Sequence, residues 1–203
     1  HQRRQLEQKW LTGQISSVVC TNAFGLGIDK PDTRWVLHYQ APLMLMEYLQ
    51  EVGRAGRDLQ PAECLTLISE PTGWLDSGDR QLRRYFLSQA SKCLQRAEAL
   101  SKQIPSRGNL GELKPHFPDG EMALAWLHRR GHLEWLDPFN YCINPGHSHA
   151  NPLEELKSQY RLMKQYLNGS HCRWQTILAA FGDDSLGIRQ PCGTCDNCLA
   201  KRR

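Results

Sequence analysis

The sequence has 203 residues, of which 40% are hydrophobic, and its formal net charge is +4. This length suffices for one sizeable core or two small ones, and we expect more than one. No apolar run approaches the roughly 20 residues of a membrane-spanning helix, and the polar residues 1–10 lack the apolar core of a signal peptide. We therefore predict a soluble, intracellular chain with no membrane partner, and the charge is only a weak indication of a polyanionic one.

The first third of the chain alternates strand and helix patterns. An amphipathic helix with Leu6 and Trp10 on one face ends at Gly13. Short apolar runs at Ser17–Thr21, 34–39 and 63–69 predict three strands, and a helix is predicted between the last two, over 43–58. This alternation predicts a parallel α/β sheet, in which ligand sites gather where strands end and loops begin.

Two loops of this region carry candidate ligand-binding residues. After the first predicted strand, Gly25 and Gly27 would let the backbone approach a phosphate, and Asp29 is available to a ribose hydroxyl or an arginine. A loop of this kind is equally compatible with a plain turn. The later segment QEVGRAGRD, residues 50–58, is more specific, because its alternating glycines and arginines present two guanidinium groups on a thin backbone. Such groups suit the spread charge of a transferring phosphoryl group.

A long amphipathic helix is predicted from residue 80 until Pro105 ends it. The apolar positions recur at three- and four-residue spacing: Leu82, Tyr85, Phe86, Ala90, Cys93, Leu94, Ala97 and Leu100. The polar face carries Arg80, Arg83, Arg84, Lys92 and Arg96. We favour a solvated basic face over one that contacts DNA.

Residues 108–143 predict two short helices followed by two short strands about a turn at Asp137 and Pro138. This order is similar to that of a winged helix, although it also occurs in domains that bind no nucleic acid. If the segment binds DNA, the natural contacts are His128, Arg129, Arg130 and His132. A spacer or a protein-binding surface is the alternative.

A cysteine cluster lies near the end of the sequence, with Cys192, Cys195 and Cys198 in a CxxCxxC run and Cys172 one helix upstream. Four thiolates at this spacing predict a structural Zn²⁺ site with no open coordination position. A ferredoxin-type cluster is disfavoured because the further cysteine and proline of that pattern do not follow. The other cysteines, Cys20, Cys64, Cys93 and Cys142, are predicted to be buried free thiols in a reducing compartment.

The segments TNAFGLGIDKPDTRWVLHYQAP and EYLQEVGRAGRD resemble motifs V and VI of the second RecA-like lobe of superfamily 2 helicases, in the form of the RecQ family. The resemblance implies that Arg57 is the arginine finger on the γ-phosphate, Arg54 its partner and Gln50 a coupling residue. It also implies that the loop containing Thr21 and Asn22 couples the nucleotide to the DNA backbone.

The end of the chain carries a second resemblance to the same family. The segments MKQYL, CRWQTILAAFGDD and CGTCDNC are similar to the helical-hairpin zinc domain of RecQ helicases, which implies the ligands Cys172, Cys192, Cys195 and Cys198. Among the basic residues of this region, Arg173 is assigned to DNA contact.

The sequence also departs from the family pattern. Met44 and Met46 stand where a serine and an acidic residue are usual, and Leu59 replaces the glycine that commonly follows GRAGRD. The winged-helix-like stretch precedes the zinc module, whereas the common layout places a winged helix after it. These 203 residues contain no GxxxxGK[ST] loop and no DExH box, so we do not expect the chain to hydrolyse ATP alone.

The predicted fold class is α/β: a partial RecA-like parallel-sheet lobe, a winged-helix-like insertion and an α-helical zinc-binding module. The predicted segments are 1–79, 80–104, 105–150 and 151–203. The resemblance implies an ATP-dependent 3′–5′ DNA helicase of DNA repair and recombination, with ATP and Mg²⁺ bound by the complete enzyme. Its implied partner is single-stranded and forked DNA, and its implied location is the bacterial cytoplasm at the nucleoid, or the nucleus in a eukaryote. A zinc-containing DNA-binding or scaffold fragment without catalysis, and a superfamily 2 RNA helicase, remain the alternatives.

Overall fold

The computed structural model describes residues 2–21, 24, 29–69, 76–144, 151–182 and 190–202. The chain divides into two compact units, residues 1–68 and 69–203. No helix in these described ranges is both long and apolar enough to cross a membrane. The predicted residues Asn22, Gly25 and Gly27 lie outside the described part.

In its described residues, the first unit contains two helices and a two-stranded parallel sheet. Its elements are α1 (Gln2–Leu11), β1 (Trp35–His38), α2 (Leu45–Val52) and β2 (Glu63–Thr66). Trp35 pairs with Glu63 and His38 with Thr66, which confirms the predicted second and third strands and their parallel direction.

The first predicted strand is not formed. Residues 17–21 are irregular, and Val19 and Cys20 are exposed. A strand needs ladder hydrogen bonds to a neighbour, and within the described residues β1 is paired with β2 alone. An apolar, β-branched run therefore indicates a preference for extended structure, but it does not show whether a neighbouring strand is present to pair with it.

Helix α2 begins after Met44, whose backbone N–H donates to the Glu47 carboxylate at 3.2 Å. This bond is half of a capping box, so the helix starts properly although a methionine occupies the position where serine is usual. The helix ends at Val52, before the arginines, and not at residue 58 as predicted. Its inward face is anchored by Leu45, which is buried.

The second unit is mainly helical and contains an antiparallel sheet with the strand order β3-β5-β4. The strands are β3 (Arg107–Asn109), β4 (Leu133–Trp135) and β5 (Asn140–Ile143). The helices are α3 (Gly78–Ser101), α4 (Leu110–His116), α5 (Gly120–Arg129), α6 (Pro152–Asn168), α7 (Arg173–Ala180) and α8 (Asp196–Ala200).

The main core of this unit forms where α3, α4 and α5 meet the antiparallel sheet. It comprises Ile104, Leu113, Ala123, Leu124, Leu127, Leu133 and Tyr141. Helix α3 packs against both α5 and α6, so this core and the helices that lead into the cysteine cluster share one long element. The two predicted helices and two predicted strands of residues 108–143 are confirmed, and β3 is an additional strand.

Several residues predicted to be buried are exposed. On α3, Tyr85 and Phe86 remain 58% and 42% exposed. The buried residues of this helix are Asp79 and Ala97. Of the four scattered cysteines, Cys142 is buried as predicted, whereas Cys20, Cys64 and Cys93 are exposed. Periodicity identifies the apolar face of an element, but it does not show how much of that face another element covers.

Candidate arginine site and zinc centre

The arginine-bearing turn, residues 53–58, follows α2 and leads to β2. Steric crowding requires glycine at two of its positions. A Cβ at Gly53 would lie 2.8 Å from the Leu49 carbonyl oxygen. Gly56 has φ +64°, and a Cβ there would lie 2.9 Å from the Gln60 carbonyl oxygen. Because the nearby atoms are backbone, a larger residue at either position would displace the turn.

This turn is attached to the segment that precedes β1. The Gly56 N–H donates to the Thr33 carbonyl at 3.0 Å, and the Asp58 N–H donates to the Pro31 carbonyl at 3.3 Å. Arg34 forms an ion pair with Asp58, and this hydrogen bond holds the pKa of the Asp58 carboxyl below its usual range. The arginines therefore project from backbone that is fixed at both ends.

Arg57 and Asp29, which the sequence singled out separately, are brought together. The Arg57 Nη1 lies 2.7 Å from the Asp29 Oδ1, and its Nε donates to the Gly53 carbonyl at 3.2 Å. The Arg57 side chain is 39% exposed and that of Asp29 is 77% exposed. An exposed pair of this kind is weak, so the guanidinium can exchange Asp29 for another anion.

The other predicted residues of this region lie nearby. Arg54 is half-buried, whereas Gln50 is exposed on α2 and Thr21 is exposed in the irregular segment. Thr21 and Arg54 line one cavity beside β1, which His38 and Glu51 also line. The structure thus places the arginine turn close to the segment that leads into the glycine loop.

Leu59, the departure after GRAGRD, adopts φ +65° and is 93% exposed. The left-handed conformation costs a residue with a Cβ about 1–2 kcal/mol. The backbone therefore keeps the conformation that a glycine would adopt, even though glycine is absent.

A buried polar cluster behind the arginine turn was missed in the sequence. His38 on β1 is 7% exposed, its Nδ1 lies 2.9 Å from the Thr66 Oγ1, and its Nε2 lies 2.9 Å from the Glu51 Oε2. At that distance the ring and the carboxyl are in contact, although the ring is not aligned for a straight hydrogen bond from Nε2. The available signal was a histidine within an otherwise apolar strand.

Burial shifts the pKa of both partners in this cluster. It lowers the pKa of His38. Burial also raises the pKa of Glu51. The negative charge of Glu47 raises this pKa further, and the positive charge of Arg54 lowers it. Both shifts favour uncharged groups, as expected where charge is removed from water.

The four predicted ligand cysteines converge at the other functional site. The Sγ atoms of Cys172, Cys192, Cys195 and Cys198 all lie within 4.8 Å of one another. The Cys192 and Cys198 sulfurs are 3.9 Å apart, close to the roughly 3.8 Å that tetrahedral Zn–S bonds of about 2.3 Å require. The residues present therefore fit a zinc ion.

Backbone N–H groups point at these sulfurs, which favours thiolates. The Cys192 N–H donates to the Cys172 Sγ at 3.3 Å, and the Cys195 N–H donates to the Cys192 Sγ at 3.4 Å. Burial raises the pKa of Cys192, but hydrogen bonds from Thr194 and from the Cys195 N–H outweigh it and lower the pKa to about 6.

Cys198 shows the opposite effect. A hydrogen bond from the Gly193 backbone lowers its pKa, but burial and the neighbouring thiols outweigh this bond and raise the pKa to about 12. Four thiols this close cannot all ionise unless a cation balances their charge. The cluster is therefore a structural zinc site whose four positions are filled by protein thiolates.

Arg173, predicted to contact DNA, is engaged inside the zinc module. Its Nε and Nη2 donate to the Asp196 carboxylate at 2.9 and 2.6 Å. Its Nη1 donates to the Tyr166 carbonyl, and its guanidinium lies 5.3 Å from the Tyr166 ring centroid. These contacts join α6, α7 and α8 around the cysteines, so Arg173 braces the zinc site.

We expect Arg173→Ala to lower the free energy of unfolding of the second unit by about 2 kcal/mol, because a largely buried guanidinium loses charge-assisted hydrogen bonds. Urea denaturation of zinc-loaded protein measures this effect. Arg161→Ala removes an exposed arginine from α6 and should change stability by less than about 0.5 kcal/mol. Equal effects of the two substitutions would contradict the bracing role.

The predicted DNA contacts on α5 also have partners within the second unit. Arg129 forms an ion pair with Glu155 of α6 at 3.1 Å. The Arg130 guanidinium lies 4.8 Å from the Trp126 ring centroid, and the His128 Nδ1 lies 3.2 Å from the Leu133 carbonyl oxygen. Arg129 and His128 are exposed.

Comparisons with known proteins agree with the geometry of both sites. Residues 1–58 match the model of the helicase conserved C-terminal domain, and residues 139–199 match that of the RecQ zinc-binding domain. The ATP-dependent DNA helicase RecQ of Synechocystis is 87% identical over 202 residues, which is 100% of this chain. The chain belongs to the RecQ family.

More distant RecQ relatives match shorter stretches. The human ATP-dependent DNA helicase Q4 is 39% identical over 105 residues, or 52% of this chain and 8% of that protein. The probable ATP-dependent DNA helicase RecS of Bacillus subtilis is 44% identical over 62 residues, or 30% of this chain and 12% of that protein. The chain spans 42% of the length of the Synechocystis RecQ.

Proposed function

We propose that this chain is the part of an ATP-dependent 3′–5′ DNA helicase that supplies the arginine finger and a zinc-stabilised module. The observation that carries the proposal is Arg57, held on a turn of fixed backbone with its guanidinium partly exposed and paired only weakly with Asp29. A guanidinium placed in this way can stabilise the charge of a transferring γ-phosphoryl group.

In the complete enzyme, ATP and Mg²⁺ are held by a phosphate-binding lobe, and residues of this chain complete the site. Arg57 exchanges Asp29 for the γ-phosphate, with Arg54 as its partner. Gly25 and Gly27 give the backbone access to the nucleotide, and Asp29 becomes available to the ribose.

Coupling to DNA is assigned to residues beside the arginine turn. Thr21 and Asn22 contact the DNA backbone, and Gln50 transmits the nucleotide state. The position of Thr21 and Arg54 on one cavity supports this assignment.

The finer architecture follows the same proposal. Residues 1–79 form the end of a RecA-like lobe, residues 80–104 a connecting helix, residues 105–150 a winged-helix-like insertion and residues 151–203 the zinc-binding module. Support for the winged helix comes from the chain order of strand, two helices and two strands over β3 to β5, together with the antiparallel β3-β5-β4 order.

We assign additional phosphate contacts to Arg129, Arg130 and Arg173. Arg129 is the most accessible of them, with a side chain that is 62% exposed, compared with 18% for Arg173. An exposed ion pair such as that of Arg129 with Glu155 is weak enough for a phosphate to replace. The proposed substrate is single-stranded and forked DNA during repair and recombination, in the bacterial cytoplasm or a eukaryotic nucleus.

A chimera tests the proposed function. In it, this chain replaces the corresponding 202 residues of the Synechocystis RecQ. We expect ATP-dependent unwinding of a DNA fork with a 3′ tail and at least about tenfold slower unwinding of the matching RNA fork, because A-form RNA presents a different groove shape and 2′-hydroxyls. Preferred RNA unwinding would favour an RNA helicase, and absent ATPase activity in a folded, zinc-loaded chimera would favour a scaffold without catalysis.

A further inference from the structure

We infer that His38 is a positioning residue that acts through Glu51 to fix the arginine-bearing turn. The inference rests on the proposed role of Arg57 and assigns a function to the buried polar cluster behind it. His38 is separate from the residues assigned to the nucleotide or to DNA.

Three elements of the first unit meet at the His38 ring. The ring projects from β1, contacts Thr66 of β2 through Nδ1 and reaches Glu51 of α2 through Nε2, each at 2.9 Å. Tyr48, one helical turn before the end of α2, lies with its ring centroid 5.5 Å from that of His38. The histidine therefore connects the sheet to the last turn of α2.

The arginines follow that last turn directly. Glu51 is the penultimate residue of α2, and the Arg54 N–H donates to the Glu51 carbonyl at 3.3 Å. The Ala55 N–H then donates to the Val52 carbonyl at 3.0 Å. A shift of Glu51 would thus be transmitted through backbone hydrogen bonds to the residues between Arg54 and Arg57.

An apolar residue at position 38 could fill the same space but would leave the end of α2 free to rotate or slide. The buried ring instead contacts the partly buried Glu51 carboxyl at 2.9 Å, and removing the polar group near a buried ring nitrogen is costly. Positioning matters here because a displacement of about 1 Å at a reacting centre can reduce a rate by about a hundredfold.

Two isosteric substitutions separate the two contacts of the ring. The amide of glutamine reaches the place of Nε2, so His38→Gln keeps a donor for Glu51. The shorter asparagine reaches only the place of Nδ1, so His38→Asn keeps the contact with Thr66 and loses that with Glu51. The pair differs by one methylene group and changes one contact at a time.

Hydrogen exchange of this chain tests the positioning directly and needs no nucleotide. The amides of Arg54, Ala55 and Gly56 all donate to backbone carbonyls and report on the turn. In His38→Asn we expect them to exchange about tenfold faster, the factor for one hydrogen bond of ordinary strength, whereas the β1 and β2 amides keep wild-type rates. His38→Gln should keep wild-type rates in the turn. Unchanged turn amides in folded His38→Asn, or equal acceleration in both variants, would overturn the inference.

The chimera adds a functional readout. His38→Asn should lower kcat for DNA-stimulated ATP hydrolysis about 10- to 100-fold, with KM for ATP and the Kd for single-stranded DNA changed less than about twofold. His38→Gln should restore most of kcat. Arg57→Ala is measured in parallel. If Arg57→Ala is inactive while His38→Asn is fully active, the positioning role fails alone, and if Arg57→Ala is fully active, the proposed function itself fails.

Discussion

Replacing Cys195 with serine is expected to release zinc and unfold the zinc module. Serine stays protonated at neutral pH and is a poor zinc ligand, so the site would keep three thiolates. Structural zinc contributes about 10–16 kcal/mol in small zinc modules, which is comparable to or larger than the whole stability of a typical domain, about 5–15 kcal/mol.

Cys195 also has local roles in the fold that enlarge the effect. It precedes α8 as the N-cap residue, and its Sγ accepts a hydrogen bond from the Arg173 N–H at 3.5 Å. Elemental analysis should find one zinc per wild-type chain and none in Cys195→Ser, and far-UV circular dichroism should show loss of helix. A colourless wild-type protein would also exclude an iron–sulfur cluster.

Cys93→Ser is the matched control, because it makes the same atomic change at an exposed cysteine of the same unit, outside the cluster. It should keep one zinc and wild-type helix content. Full zinc content and an unchanged spectrum in Cys195→Ser would show that this thiol is not a required ligand.

The cysteine site and the parallel strands could be predicted because they depend on local signals. A CxxCxxC run encodes its own spacing, and a distant Cys172 needs only one helix to reach it. The alternation of strands and helices likewise indicated that β1 and β2 run parallel, since a crossover helix joins them. The paired glycines of the arginine turn were also visible as a local pattern, and the structure adds the reason: backbone crowding at both positions and a positive φ at Gly56.

The contacts that position the arginines could not be predicted, because they join residues far apart in the chain. Nothing local shows that His38 meets both Thr66 and Glu51. For Asp29 the sequence suggested a ribose hydroxyl or a neighbouring arginine, but it did not show that the partner is Arg57. The role of Arg173 was equally inaccessible. The sequence alone does not show that Arg173 pairs with Asp196, which lies 23 residues further along the chain.

Replacing Arg57 with alanine is expected to lower the rate of DNA-stimulated ATP hydrolysis by the Synechocystis RecQ chimera about a thousandfold or more, the usual contribution of an arginine finger. Its contact with Asp29 is exposed, and such pairs contribute about 0–1 kcal/mol to stability. The melting temperature, zinc content and Kd for single-stranded DNA should therefore stay near wild type while kcat falls. Arg57→Lys should also be strongly impaired, because an ammonium group cannot present two parallel N–H donors to the phosphoryl oxygens.

Arg4→Ala provides the matched control, since Arg4 is an exposed arginine on α1 of the same unit and should keep wild-type kcat. A wild-type rate in Arg57→Ala would refute the finger assignment, because no other consequence of the substitution could compensate for a missing transition-state contact. If kcat and the melting temperature both fell while the zinc content stayed the same, Arg57 would instead be shown to support the fold of its turn. The weak pairing with Asp29 argues against this second outcome: a side chain that contributes little to folding is free to leave its resting partner, and a residue that must reach the γ-phosphate needs that freedom.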